Sequence, residues 1–183
     1  MPDTEVKSST TEKPPAPAPT PTEPSKPAAS PSESAEGNPN RSFQLKDLDK
    51  VTVTLGGKPI ELWIMDTSAK QAEGMMFLTD KEVRDDQGMI FAFAKPETNL
   101  KNGFYMKNTI LPLDIVFISP QKKVINIQKG KPHDETNLPS AAVYQYVIEL
   151  KQGQAQALGL KPGSSIPIPA SVKGEEENPP RTF

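Results

Sequence analysis

The chain has 183 residues, 34% of them hydrophobic and 24% charged, with a formal net charge of −2, which allows one domain with its own core and excludes a second of ordinary size. The charge is spread thinly, so no electrostatic footprint for nucleic acid or an anionic membrane is present. Cysteine is absent, which removes disulfides, a thiol nucleophile and thiolate metal ligands, and no apolar run reaches the roughly 18 residues that cross a bilayer.

Ten of the 21 prolines fall in the first forty residues. Residues 1–41, rich in Pro, Ala, Ser, Thr and Glu, have almost nothing to bury and predict a disordered spacer with polyproline II character. Such a spacer suits a domain held away from an anchor or following an export signal, so an extracytoplasmic location is expected. Residues 42–169 are expected to form a single β-rich domain, and 170–183 a polar disordered tail.

Val51, Val53 and Leu55 alternate with threonines and end at Gly56-Gly57, the signature of a hairpin whose second arm carries Ile60, Leu62 and Ile64. Asp66 or Thr67 caps a short helix over 68–73 that Gly74 ends or bends. Met75, Met76 and Phe77 bring the chain back to the core, and Thr79 with Glu82 has the spacing of a capping box. Met89 to Phe93 reads as a third strand. After a polar loop, the stretch from Gly103 to Ile118 splits at Pro112 into extended pieces near 103–108 and 113–119. A turn at Ser119-Pro120 predicts antiparallel pairing of Ile115 to Ile118 with Val124 to Ile127. An irregular connection, a long strand over 143–150, a short helix closed by Gly159 and a last strand at Ile166 and Ile168 complete the chain. About eight strands with one or two short helices predict a mainly β domain, built as a barrel or a sandwich.

Within the central stretch, Lys107, Asn108 and Asp114 are the candidates for a polar site, with Tyr105, Met106 and Thr109 as its immediate surroundings. Lysine holds an anion, asparagine both donates and accepts, and aspartate orients either or takes a proton. The three meet if the chain turns near 109–112, and a structural network holding that turn is the alternative to a ligand site. His133, beside Asp134 and Glu135, reads as a loop histidine. No phosphate loop, histidine pair or serine elbow occurs, so no metal, cofactor or standard nucleophile is expected.

The residues AEGMMF at 72–77, DQGMIFAF at 86–93, GFYMKNTILPLDIVFI at 103–118 and YVIELKQGQAQALGLKPGSSI at 146–166 resemble the family called domain of unknown function 192. The resemblance implies a compact barrel or sandwich-like β domain, in many members behind a signal or lipoprotein segment, and an activity that is not established. Its signature positions map here to Gly74, Met76, Gly88, Met89, Phe91, Met106, Lys107, Asn108, Thr109, Pro112, Leu113 and Asp114. Leu78 stands where the family commonly has arginine and Tyr105 where it has tryptophan, and a cysteine common near the His133 loop is missing.

The function expected from these readings is a non-catalytic module for a small polar or anionic ligand at Lys107 and Asn108. The alternatives are a hydrolase acting on cell-envelope carbohydrate, with Asp114 as one of two carboxylates, and a structural or protein-interaction domain.

Overall fold

The computed structural model describes residues 37–176; the predicted spacer up to residue 36 and the tail from residue 177 lie outside the described residues. A short 3-10 helix, Leu45–Asp47, leads into β1 (Lys50–Leu55). Gly56-Gly57, at φ of 55° and 81°, turns the chain into β2 (Lys58–Met65) as an antiparallel hairpin, a conformation that glycine reaches without steric cost.

The side chain of Thr67 accepts from the Lys70 N–H at 3.3 Å and caps α1 (Ser68–Glu73), which Gly74 ends. Thr79 donates through both its N–H and its hydroxyl to Glu82 at 2.9 Å, as the capping-box spacing predicts. The chain then re-enters the sheet as β3 (Gln87–Glu97), parallel to β2, with 61–65 in register with 87–91. The hairpin of β4 (Leu113–Ile118) and β5 (Val124–Gly130) pairs Val116 with Ile127, in the predicted antiparallel sense. β6 (Tyr144–Lys151) lies between β3 and β4, antiparallel to both, and α2 (Gln154–Ala157) follows it.

The sheet is mixed and six-stranded, in the order β1-β2-β3-β6-β4-β5. The mainly β class with two short helices is as predicted, but the barrel is not: β1 and β5 are open edges that never meet. A barrel has one interior, whereas this sheet buries apolar side chains on both faces. Ile148 and Leu150 of β6 join Leu62, Ile90 and Val116 on one face, covered by α2 and by Ile166, Ile168 and Val172. Val147 points the other way with Trp63, Met89, Phe91, Ile115 and Phe117, covered by Met75, Leu78, Val83, Met106 and Leu111. The two outer strand predictions reduce to single bridges, Phe104 with Leu138 and Lys123 with Ser165, because these segments serve as cover over the sheet and not as members of it.

The packed body reaches past the boundaries drawn from composition. Asn38 donates to the Phe77 carbonyl and to Glu82, each at 2.9 Å, and Arg41 is buried. At the other end Val172 is buried and the Glu175 N–H donates to the Asp66 carbonyl at 2.8 Å.

Candidate functional site

Strand periodicity places Glu149 two residues beyond Val147, on the same apolar face, between Met89 of β3 and Ile115 of β4. A carboxyl there has left water for a hydrocarbon floor, and Glu149 is only 5% exposed. The Met75 N–H reaches the carboxyl, yet Oε2 is buried with no hydrogen-bond partner. Burial pushes the group up to about 8, against the Met75 N–H and the charge of Arg41, which both favour the ionised form. Glu149 is therefore a neutral carboxylic acid near pH 7, able to donate as well as accept.

Above it opens a cleft of about 240 Å³, with Glu149 and Thr109 among its buried polar lining residues. Its aromatic walls come from three elements: Phe93 of β3, Phe104 and Tyr105 of the central stretch, and Tyr144 of β6. Phe93 and Tyr144 meet edge to face at 5.4 Å, so their rings hold each other in place. The Tyr144 phenol is pushed up to about 12 by burial and by the charge of Glu97, and remains a proton donor. Gln71, Glu97 and Asn102 supply polar groups nearer the mouth, and Tyr105, 47% exposed, stands at the rim.

The wall formed by 73–76 is held from behind by Arg41. Its Nη1 donates to the carbonyls of Gly74 at 2.9 Å and Met76 at 2.6 Å, and its Nε to that of Phe43 at 3.1 Å. Nη2 lies 3.2 Å from Glu73 Oε2, close enough for an ion pair but off line for a hydrogen bond. Glu73 also accepts from the N–H groups of Ser42 at 2.6 Å and Phe43 at 3.0 Å. This clamp fixes a bend in which Phe77 takes a φ of 63°, a costly conformation for a bulky side chain.

The residues singled out from sequence are divided among four places. Tyr105 and Thr109 line the cleft. Met106 is buried against Gly130, its N–H donating to the Asp134 carbonyl at 2.8 Å. Lys107 and Asn108 are exposed and line neither cavity described here; Asn108, at a φ of 54°, receives the Phe77 N–H on its carbonyl at 2.9 Å, and the Thr109 hydroxyl donates to the Lys107 carbonyl at 3.2 Å. The stretch thus staples the cleft wall to the 133–138 loop largely through its backbone. Asp114 faces away from Glu149, on the other side of the sheet, since it pairs in register with Leu150. Its Oδ2 accepts the N–H groups of Gly153 at 2.8 Å and Ala155 at 3.0 Å, anchoring the start of α2.

A second cavity, of about 400 Å³, touches Asp114, Lys129 and Lys161 and, among the described residues, is lined by no second acid. The two-carboxylate arrangement considered for Asp114 therefore has no partner there, and Glu149 cannot supply one through the sheet. Asp114→Ala is expected to cost about 2 kcal/mol, as loss of a buried cap does, while Lys107→Ala stays within about 0.5 kcal/mol of wild type; urea unfolding of the two variants checks both. His133 is exposed, and among the described residues no three His, Cys, Asp or Glu side chains cluster as a metal site would. Among the same residues no helix is long and apolar enough to cross a membrane.

Glu149 and Arg41 went unrecognised in the sequence. The run YVIEL, a lone acid between apolar neighbours on both sides, was the available signal for Glu149. Arg41 carried none, being the last residue of a proline-rich tract.

Two solved structures are similar to this one. A protein of unknown function from Novosphingobium aromaticivorans is 36% identical, with a TM-score of 0.57 over 77% of this chain and 94% of that one. A "putative transcription regulator" from Sinorhizobium meliloti is 29% identical, with a TM-score of 0.57 over 65% of this chain and 93% of that one. No curated protein matches. The family model DUF192, described as "Uncharacterized ACR", matches residues 51–168, from the second residue of β1 to beyond α2, and the chain belongs to that family.

Proposed function

We propose that this domain is a ligand-binding module without a reaction of its own, and that it takes a small polar molecule into the cleft above Glu149. One observation carries the reading: a carboxyl oxygen without a partner on the buried floor of an aromatic-walled cleft. An unsatisfied buried polar atom costs roughly 1–3 kcal/mol, a cost that a bound molecule with a matching group relieves. The cleft's size favours a metabolite over a polymer.

The test is a screen of small polar metabolites by amide NMR on the wild-type protein and on Asn102→Trp. Asn102 is exposed at the cleft mouth, so the indole blocks access without entering the core. Binders should shift the amides of Gly74, Met75 and Gly103 in the wild type and lose that effect in the variant. Shifts confined to Lys107, Asn108 and the far side of the sheet would contradict the assignment.

A further inference from the structure

Resting on that reading of the cleft, we infer that the group received at Glu149 is an organic cation, a primary ammonium carried on a small apolar frame. Among the described residues the lining contains three acids, Glu73, Glu97 and Glu149, and no lysine, arginine or histidine. Arg41 lies behind the wall and is occupied by Glu73 and by three carbonyls, so an entering anion would meet no free cationic donor in the lining. Four aromatic rings line the same space, and ring faces attract a desolvated cation. The oxygen left without a partner, Glu149 Oε2, is an acceptor once ionised, and an ammonium brings it both a hydrogen bond and a charge.

Binding of this kind is linked to a proton. The ammonium displaces the proton from the carboxyl, which goes to solvent as H⁺, so affinity rises with pH until the free carboxyl is ionised. The charged and titratable groups around Glu149 are Arg41 on the N-terminal segment, Glu73 on α1, Glu97 on β3 and Tyr144 on β6, with Glu82 acting on Arg41. Arg41 favours the ionised carboxyl from behind, whereas the charge of Glu97 acts on Tyr144.

The experiment titrates the full chain with n-butylamine, n-butanol and butyrate between pH 6 and pH 9, reading the cleft amides by NMR. The amine keeps its proton in this range, since its pKa resembles that of lysine, about 10.4. Butylammonium is expected to bind about tenfold more tightly per pH unit from pH 6 to near 8 and to level off above, because one proton must leave. Glu149→Gln should abolish that slope and weaken binding at least tenfold at pH 8, and Asn102→Trp should remove the cleft shifts. Should Glu149→Gln fail to fold, the slope in wild-type protein and the Asn102→Trp result decide. Butanol or butyrate binding in the cleft as tightly as the amine would overturn the cation while leaving the binding module standing. Silence from butylammonium at every pH also overturns it, and only a negative metabolite screen besides would remove the module.

Discussion

Glu149→Gln is expected to stabilise the folded protein, by an amount that grows with pH. In the unfolded chain the carboxyl ionises near 4.5, whereas the folded protein holds its proton to about 8. Between these values the native state carries the extra proton, so stability falls as pH rises; below the lower value the effect vanishes, and above the upper one it is complete. The shift corresponds to roughly 3–5 kcal/mol at its full extent. Glutamine keeps the shape and an acceptor for the Met75 N–H but cannot ionise. Urea unfolding at pH 5, 7 and 9 should give nearly equal stabilities for wild type and variant at pH 5, and a variant ahead by several kcal/mol at pH 9. Curves that run parallel across the range would mean that the carboxyl ionises as an ordinary surface acid does. A residue whose replacement improves the fold while removing ligand binding is the expected mark of a functional group retained at the expense of stability.

The second large effect belongs to Arg41. Arg41→Ala strips three carbonyls and Glu73 of their common donor inside a site where the arginine side chain is 1% exposed. Removing one partner of a buried pair costs roughly 3–5 kcal/mol, because the groups left behind stay dry and unpaired. Burial lowers the pKa of this arginine, and Glu73, Glu82 and Glu149 oppose the change, so it remains charged and the loss is that of an ion as well as of a fork of donors. Arg41→Lys should recover only part of the loss, since one ammonium cannot reach carbonyls on both sides of the Gly74–Phe77 bend. A chain begun at residue 42, where composition places the domain boundary, should unfold as readily as Arg41→Ala. A cost below 1 kcal/mol in urea would show that the clamp is incidental.

What could be read from the sequence was mostly local. Thr67 and Gly74 delimit α1, Gly56-Gly57 makes the first hairpin and Ser119-Pro120 the second, because each depends on residues within one turn. The pairing of 61–65 with 87–91 was not legible, for a parallel neighbour is chosen by distant packing and not by turn chemistry. With that pairing the sheet gains cover on both faces, and the two alternating sides of β6 are both buried. Glu149 fell into the second core for that reason. The polar side chains of the central stretch do not converge: β4 turns Asp114 toward α2 on the opposite face, while the left-handed turn at Asn108 leaves Lys107 in solvent. Tyr105 and Thr109 did reach the cleft.

On this reading an uncharged Glu149 closes the floor of the cleft with one oxygen left for a ligand. Carbon-13 NMR of its side-chain carboxyl, assigned by comparison with Glu149→Gln and followed from pH 3 to 10 in the unliganded protein, addresses it most directly. A single titration step centred near 8 is the expected result. A midpoint between about 4 and 5, the ordinary range of a solvated glutamate, would contradict the account.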